Sequence, residues 1–352
     1  MSVHHLSYTP AAQSSNDGAD SSSPKRHVLV FMISGNPGLI DYYAQFLQAL
    51  HNALDASSLS TPALKDTRFH IYGQNLAGFS DDEHEPFSSE RKPYDLEYQI
   101  QHTLKAVCGQ QINGRPFDDI IMMGHSVGAY IALESWHRVL KDPKLSSTLN
   151  LTSGILLFPT IEYIARSSSG WKLNALRQTP IIGPNAYRVA TGFLQLCTQN
   201  VLLWFVGTAL GMPGPAADVT AKWLKSRDGV WQALHLGMDE MRVIGEDKWG
   251  EELWAIEKDA DKLHAEASSI PQKKADTDAP STTRPKFYLF FGKRDNWVSD
   301  RLRDEFIRKR EKQTRVILDE GNLPHAFCLA HSEAVAEKVH GWICEMYDHS
   351  SS

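Results

Sequence analysis

A serine with the surroundings of a nucleophile occurs in the stretch Gly124-His125-Ser126-Val127-Gly128, which has the pattern G-x-S-x-G. An apolar run precedes this stretch and a helix-forming run follows it, so Ser126 falls at the tip of a predicted strand-to-helix turn. Such a turn strains the serine backbone, and the glycines on either side relieve the crowding. The pattern therefore predicts that Ser126 is a nucleophile and that Gly124, His125 and Gly128 form its turn. A buried strand-turn-helix unit without chemistry is the alternative.

A serine hydroxyl needs a base to become nucleophilic, and the base needs a carboxylate that orients it. In α/β-hydrolases both follow the serine in the chain, the acid after a late strand and the histidine after the last one. Asp295 comes just after the apolar run 286–292, and His325 lies in a loop after the run 314–319. We therefore predict Asp295 as the acid and His325 as the base. Other candidates, at a strand end or within predicted helices, are Asp300, Asp319 and His331.

Acyl transfer also needs two backbone N–H donors for the negatively charged oxygen of the tetrahedral intermediate. One is expected from Val127, directly after the serine, and the other from the loop after the first predicted strand. That loop has the sequence Ser-Gly-Asn-Pro-Gly at 34–38. Pro37 has no N–H, so Asn36 is the predicted second donor. An ordinary Gly/Pro turn is the alternative interpretation of this loop.

Apolar runs that alternate with helix-forming segments place these residues in a fold. Strands are predicted at 27–33, 68–74, 118–124, 154–159, 286–292 and 314–319. Helices are predicted at 41–50, 95–107, 127–140, 299–312 and 332–347. The alternation indicates βαβ units, and with the serine turn it predicts an α/β-hydrolase fold: a mostly parallel central sheet flanked by helices.

The alternation stops between the fifth and sixth predicted strands, where a largely helical, apolar cap is expected. The predicted organisation is a disordered tail at 1–26, a core at 27–160 and 286–348, a cap at 161–260 and a flexible loop at 261–285. The tail contains no apolar segment of the kind that secretory signals have. The loop is rich in charged, Ser, Thr and Pro residues, which favours a solvated segment.

The cap contains an uncharged stretch, 189–217, without Asp, Glu, Lys, Arg or His. As a helix, residues 193–212 would be long enough to cross the ~30 Å hydrocarbon core of a bilayer. We exclude a crossing because it would put Ser126 and Asp295 on opposite sides of the membrane. A lid helix buried on the core and an apolar hairpin that enters one leaflet or a lipid monolayer remain. We favour the hairpin, because the stretch has no charged outer face. The lipid contacts are expected from Leu202, Leu203, Trp204, Phe205 and Val206.

Composition excludes several other functions. The net charge of the 352 residues is -6 with both signs mixed along the chain, so no nucleic-acid partner is predicted. The cysteines are widely spaced, without a C-x-x-C pair or a histidine cluster at metal-ligand spacing. We therefore expect reduced thiols, no metal and no cofactor.

Five stretches, GNPGLIDYY, IYGQNLAGFSDD, GHSVGAYIALE, RDNWV and PHAF, resemble the lipid droplet-associated hydrolases, a branch of the α/β-hydrolase superfamily found in animals, fungi and plants. The resemblance implies a serine ester hydrolase for neutral lipid esters, such as sterol esters or acylglycerols, with Ser126, Asp295 and His325 as its triad. It also implies localisation to lipid droplets and the cytosolic face of the endoplasmic reticulum membrane. Ser34 departs from the histidine that many α/β-hydrolases have before the oxyanion loop, so that loop is expected to be held differently.

Two kinds of function compete at this point. The first is a serine esterase or lipase that forms an acyl-enzyme on Ser126. The second is a droplet-surface protein that binds lipid or protein and whose catalysis is weak or vestigial. The complete set of serine, acid and histidine favours the first. An epoxide hydrolase of the usual kind would have Asp in place of Ser126.

Overall fold

A computed structural model describes residues 3–10, 25–179, 191–192, 194, 196–254 and 286–347. In this part of the chain a seven-stranded sheet has the order β1-β3-β2-β4-β5-β6-β7. The strands are β1 His5–Tyr8, β2 Arg26–Ile33, β3 Thr67–Gln74, β4 Asp119–His125, β5 Leu151–Leu157, β6 Phe287–Gly292 and β7 Arg315–Asp319. Neighbouring strands from β3 to β7 pair in parallel, and β1 pairs antiparallel with β3. The predicted mostly parallel sheet is confirmed.

Helices follow the strands and cover both faces of the sheet. They are α1 Ala44–Ser60, α2 Leu96–Cys108, α3 Val127–Lys141, α4 Pro143–Thr148, α5 Ser168–Gln178, α6 Gln199–Trp204, α7 Gly214–Leu224, α8 Gly229–Val243, α9 Glu251–Trp254, α10 Asp300–Arg310 and α11 Ser332–Tyr347. Alternate side chains of β2 enter two separate cores: Val28, Val30 and Met32 face one, whereas Leu29, Phe31 and Ile33 face the other. A strand buried on both faces needs a continuous apolar run, which explains the sequence of β2.

The N-terminal residues correct one prediction. Residues 1–26 were expected to be a disordered tail, but His5–Tyr8 form β1 and extend the sheet beyond β3. The Asn75 amide also donates to the Val3 carbonyl at 2.9 Å. Edge pairing uses backbone N–H and C=O groups that every sequence has, so it needs no apolar run that would reveal it. Residues 11–24 lie outside the described part of the chain.

Helices connect β5 to β6. A 3-10 turn at Ile164–Arg166 and α5 come first, and α6 continues into a π-helical turn, Phe205–Ala209, before α7, α8 and α9. The expected loop at 261–285 lies outside the described residues. Within the described ranges, no helix is both long enough and apolar enough to span a bilayer.

Candidate active site

The turn at Ser126 has the strained geometry that its sequence predicts. Ser126 lies between β4 and α3 with φ 56° and ψ -124°, a left-handed backbone conformation that non-glycine residues rarely adopt. A Cβ atom added at Gly124 would collide with the carbonyl oxygen of Gly128, and one added at Gly128 would collide with that of Ile33. Both glycines are therefore required by close backbone contacts, and Ser126 stands at the N-terminus of α3.

Three loops at the carboxyl ends of strands bring Ser126, Asp295 and His325 together. His325 Nε2 lies 2.9 Å from Ser126 Oγ, and His325 Nδ1 lies 2.7 Å from Asp295 Oδ2. The second carboxylate oxygen accepts the Trp297 N–H at 2.8 Å. Because an ionised carboxylate only accepts hydrogen bonds, Nδ1 carries the histidine proton and Nε2 is left to accept the serine proton. This arrangement can activate a serine hydroxyl for attack on a carbonyl carbon.

The competing acids and histidine have other partners or positions. The Asp300 carboxylate accepts a bond from Arg303 at 2.9 Å, one turn away on α10. The Asp319 carboxylate accepts the Leu323 N–H at 2.7 Å and so shapes the loop that leads to His325. His331 is exposed just before α11. None of the three is hydrogen-bonded to Ser126 in the described part of the chain.

The two predicted donor amides, those of Asn36 and Val127, must be unoccupied if they are to bind an anion. Neither the Asn36 N–H nor the Val127 N–H has a hydrogen-bond partner among the described residues. Val127 is the first residue of α3, where backbone N–H groups have no intrahelical acceptor. Asn36 shares a cavity with Ser126. One of these N–H groups lies in the loop after β2 and the other at the start of α3, which fits the predicted pair of donors.

A buried chain of hydrogen bonds supports these groups and was not predicted from the sequence. The Gly35 N–H donates to the Tyr43 hydroxyl at 2.9 Å, and that hydroxyl lies 2.6 Å from His125 Nδ1. His125 Nε2 lies 2.9 Å from the backbone carbonyl of His325. A carbonyl only accepts, so Nε2 donates to it and Nδ1 accepts the tyrosine proton.

Burial accounts for the neutral state of His125 in this chain. Burial, together with the neighbouring His325, lowers the pKa of the His125 imidazole to about 3. The oxyanion loop and the loop of His325 are thus joined through Tyr43 and His125. Ser34, where a histidine is common in related folds, is buried and its hydroxyl has no partner in the described ranges. The Tyr43 hydroxyl therefore holds the oxyanion loop, and this agrees with the expectation that the loop is held differently when Ser34 replaces the histidine.

The cap contacts the oxyanion loop from the other side. The Asn36 Nδ2 amide donates to the Ala233 carbonyl at 2.9 Å and to Glu240 Oε1 at 3.1 Å, both on α8. Burial raises the pKa of the Glu240 carboxyl, the Asn36 hydrogen bond lowers it and the charge of Asp239 raises it, with a net value of about 8. Glu240 was not predicted as part of the site. Its signal in the sequence is weak, because acidic residues are common on helices.

A cavity of about 250 Å³ opens between core and cap at Ser126. Apolar side chains form much of its wall, and they are Ile164, Leu173, Met212, Trp223, Trp297 and Leu329. The polar residues that line it include Ser126, His325, Asn36 and Glu240. Apolar walls with a few converging polar groups are typical of sites for small or lipidic ligands.

The predicted lipid-contact residues divide into two sets. Trp204 and Phe205 are exposed, Trp204 at 64%, and Leu203 is half-buried. Leu202 and Val206 are 3% and 0% exposed, so the prediction of lipid contact is wrong for these two. Residues four apart lie on the same helix face, and this face packs against the protein. Further exposed apolar side chains of the cap are Trp171, Leu196, Val201 and Leu210.

One group of potential metal ligands lies outside the cavity, formed by Asp81, His84 and Asp228. Arg227 is hydrogen-bonded to both carboxylates of this group. Its Nε donates to Asp228 at 2.7 Å, and its backbone N–H donates to Asp81 at 2.6 Å. The His84 Nδ1 contacts the Glu85 carbonyl at 2.8 Å. Arg227 therefore forms an ion pair with Asp228, while the Asp81 carboxylate accepts a backbone N–H.

Comparison with known proteins assigns the chain to a family. The lipid-droplet associated hydrolases match residues 26–328. The chain belongs to this family. Lipid droplet-associated hydrolase from Mus musculus is 26% identical over 92% of this chain and 86% of its own length. The Homo sapiens relative of the same name is 25% identical over 91% of this chain and 86% of its own length.

Solved structures support the fold of this family member. A peroxisomal α/β-hydrolase from Saccharomyces cerevisiae covers 98% of the chain and 88% of its own, with a TM-score of 0.57 and 12% identity. A laboratory-evolved potato epoxide hydrolase covers 91% of the chain and 94% of its own, with a TM-score of 0.51 and 12% identity. At such low identities the likeness shows the α/β-hydrolase fold alone. The predicted fold is confirmed.

Proposed function

We propose that this hydrolase cleaves carboxylic esters through an acyl-enzyme on Ser126. The observation that carries the proposal is the continuous path from Asp295 through His325 to Ser126, with distances of 2.7 and 2.9 Å. The histidine tautomer in this path leaves Nε2 ready to accept the serine proton. The free N–H groups of Asn36 and Val127 add support, because they are suitable donors to the anion that forms during attack.

In the proposed reaction, Ser126 Oγ attacks the ester carbonyl carbon while its proton moves to His325 Nε2. The carbonyl oxygen becomes an anion that accepts hydrogen bonds from the two backbone N–H groups. The carbon–oxygen bond to the alcohol then breaks, and His325 returns the proton to the leaving alcohol. A water molecule gives its proton to His325 and attacks the acyl-enzyme, which releases a carboxylic acid and restores Ser126. Asp295 keeps the imidazole oriented in both halves.

We propose a neutral lipid ester, either a sterol ester or an acylglycerol, as the substrate. The apolar wall of the cavity supports a substrate with little charge. The relatives are named for association with lipid droplets, and we propose the same surface for this chain, together with the cytosolic face of the endoplasmic reticulum membrane. The exposed apolar side chains around Trp204 and Phe205 support contact with a lipid monolayer.

The same exposed surface favours one alternative, a droplet-binding protein with vestigial catalysis. A fluorophosphonate probe, which reacts with activated serines, distinguishes the two functions. We expect the wild type to be labelled and Ser126→Ala to remain unlabelled. Ser135→Ala is a matched control, because Ser135 is buried nine residues further along on α3 and its hydroxyl has no partner in the described residues.

After labelling, the rate of hydrolysis is measured on three substrates: a short soluble ester, a sterol ester (cholesteryl oleate) and an acylglycerol (trioleoylglycerol). The proposed function predicts hydrolysis by the wild type and by Ser135→Ala, and none by Ser126→Ala. A wild type that binds droplets but is neither labelled nor active would establish the alternative.

A further inference from the structure

We propose that Glu240 is a positioning residue that holds the oxyanion loop against helix α8 through the side chain of Asn36. The inference rests on the proposed function, because it assumes that the Asn36 N–H stabilises the anion formed from the ester. It extends that function by assigning part of the catalytic geometry to the cap, 204 residues further along the chain.

The contacts of Asn36 fix its side chain in one orientation. Its Nδ2 amide donates to the Ala233 carbonyl at 2.9 Å and to Glu240 Oε1 at 3.1 Å. A carbonyl only accepts, so the donor end of the amide must face α8. Ala233 and Glu240 are seven residues apart and lie on one face of the helix. The two contacts therefore hold the residue whose backbone N–H is the proposed donor.

The other side of the loop is held independently. The Gly35 N–H donates to the Tyr43 hydroxyl at 2.9 Å, so this amide is occupied and Asn36 is the next N–H along the chain. Asn36 Oδ1 is buried and has no partner in the described part of the chain. The orientation of the Asn36 side chain consequently depends on its two Nδ2 contacts. Ala233 provides a backbone acceptor, and Glu240 provides a side-chain acceptor.

The charge of Glu240 matters because the carboxyl lines the same cavity as Ser126. Burial raises the pKa of Glu240 to about 8, so the carboxyl is mostly protonated at neutral pH. A neutral carboxyl can accept the Asn36 hydrogen bond without adding negative charge beside the developing oxyanion. Ionisation above pH 8 would place a carboxylate there and raise the energy of the anionic intermediate.

The surroundings assign the alkaline titration to Glu240. Helix α8 packs against α2, α5, α7 and the 3-10 turn. The charged side chains of these elements that the structure describes as exposed are Glu97, Lys105, Arg166, Lys172, Asp218 and Lys222. On α8 itself, the charge of Asp239 acts on Glu240 and raises its pKa. The other acidic groups that line the cavity titrate higher: burial raises the pKa values of Tyr42 and Cys328 to about 12 and that of Tyr43 well above 10.

A double-mutant cycle on hydrolysis of a short soluble ester tests the coupling between the two side chains. Glu240→Leu and Asn36→Ala each remove the hydrogen bond between the two side chains, and both keep the backbone N–H of residue 36. Loss of a whole oxyanion donor costs about 10²- to 10³-fold in kcat, so its displacement should cost about 10-fold or more, with KM within about 3-fold. The double variant should lose no more than Asn36→Ala alone, because that change already removes the contact with Glu240.

The pH profile provides a readout that a merely structural residue would not change. We expect wild-type kcat to decline around pH 8, whereas Glu240→Gln stays neutral, still accepts the Asn36 bond and should show no such decline. Its kcat at pH 7 should stay within about 3-fold of the wild-type value. Asp239→Asn changes a neighbouring charge without touching Asn36: Asp239 is buried on the same helix and accepts the Leu96 N–H at 3.0 Å. Because the charge of Asp239 raises the pKa of Glu240, the decline in kcat should move to lower pH in this variant.

The outcomes separate this inference from the proposed function. Additive losses in the cycle, or an alkaline decline that persists in folded Glu240→Gln, would overturn the role of Glu240 while ester hydrolysis stands. A wild type that is neither labelled by fluorophosphonate nor active on any ester would instead overturn the proposed function. Circular dichroism and melting temperature identify variants that fail to fold. If Glu240→Leu fails to fold, the pH profile of Glu240→Gln still tests the role of Glu240.

Discussion

At the scale of single residues, the site depends on how His325 is held. Its side chain lies between Asp295 and Ser126, and its backbone carbonyl accepts a bond from His125 at 2.9 Å. An imidazole fixed at both its ring and its backbone needs little reorganisation during proton transfer. Proton transfer of this kind depends on pre-arranged geometry more than on the strength of any one contact.

Ser126→Ala, Asp295→Asn and His325→Ala should each lower hydrolysis of a soluble ester by about 10³-fold or more, because the residues of a triad act as a unit. The double variant Ser126→Ala/His325→Ala should be no worse than Ser126→Ala. Steady-state kinetics on folded, monodisperse protein measures this. Full activity in Asp295→Asn, together with its loss in Asp300→Asn, would move the acid to Asp300.

Tyr43→Phe should lower kcat and also destabilise the fold, although the tyrosine does not touch the serine. The change leaves the Gly35 N–H and His125 Nδ1 buried without their partner, which costs about 1–3 kcal/mol for an unsatisfied group. Chemical denaturation measures the stability and ester turnover measures kcat. The neighbouring Tyr42→Phe is the control, since the Tyr42 hydroxyl contacts Thr220 at 2.8 Å instead. Equal kcat losses in the two variants would argue against a specific role for the Tyr43 chain.

The sequence indicated Ser126, Asp295 and His325 because each follows a recognisable apolar strand and their order in the chain is informative. It did not indicate Tyr43 or Glu240. The function of both depends on contacts with residues distant in the chain, and neither belongs to a short pattern. Glu240 also looks like any acidic residue of a surface helix until its burial is known.

At the scale of elements, helix α6 and the π-helical turn after it have two different apolar faces. One face, which includes Leu202 and Val206, is buried, and the other presents Trp204 and Phe205 to solvent. The sequence indicated an apolar hairpin without separating these faces, since all the residues involved are hydrophobic. The π-helical turn at Phe205–Ala209 shifts the helical register and could not be anticipated from periodicity.

Trp204→Ser/Phe205→Ser should reduce binding to phospholipid-coated triacylglycerol droplets by about 10-fold or more while sparing hydrolysis of a soluble ester. The serine variant loses the favourable free energy of transferring two aromatic side chains from water into lipid, which is ~1.5 kcal/mol or more for each. Flotation of droplets with bound protein measures the change. Leu202→Ser/Val206→Ser is the control from the same element, and it should instead lower the melting temperature, because each buried apolar residue replaced costs about 2–5 kcal/mol. Undiminished binding of the exposed double variant would exclude this surface as the lipid contact.

Strand β1 gives a second prediction at this scale. Removal of residues 1–10 should lower the melting temperature and promote aggregation, because β3 would become an exposed sheet edge. The truncation also removes the contact of the Tyr8 hydroxyl with the Ala44 carbonyl, which is 3.3 Å long. Scanning calorimetry and light scattering measure the two effects. Unchanged values in the truncated protein would show that β1 contributes nothing to the fold.

At the scale of the whole molecule, two buried groups make stability depend on pH in opposite directions. Folded His125 stays neutral down to about pH 3, whereas the unfolded imidazole takes up a proton near its ordinary value of 6.5. Stability is therefore lost as the pH falls from 6.5 towards 3. Folded Glu240 keeps its proton up to about pH 8, whereas the unfolded carboxyl ionises near 4.5, so stability is lost as the pH rises from 4.5 to 8.

Each effect should disappear with its own residue. Glu240→Gln should be more stable than the wild type by a few kcal/mol at pH 8 and by much less at pH 4.5. His125→Gln should show a weaker loss of stability than the wild type between pH 6.5 and 4.5. Urea unfolding at several pH values measures both differences. Parallel pH curves for wild type and either variant would show that the group does not titrate differently on folding.

The helix that anchors Asn36 also limits how an ester reaches the serine. Many enzymes admit large substrates by swinging a cover aside, but α8 cannot move away here without releasing Asn36 from both its partners. Displacement of α8 would expose Ser126 and release the proposed anion site at the same time. An ester that enters while Asn36 stays bound to Ala233 and Glu240 must therefore pass beside α8.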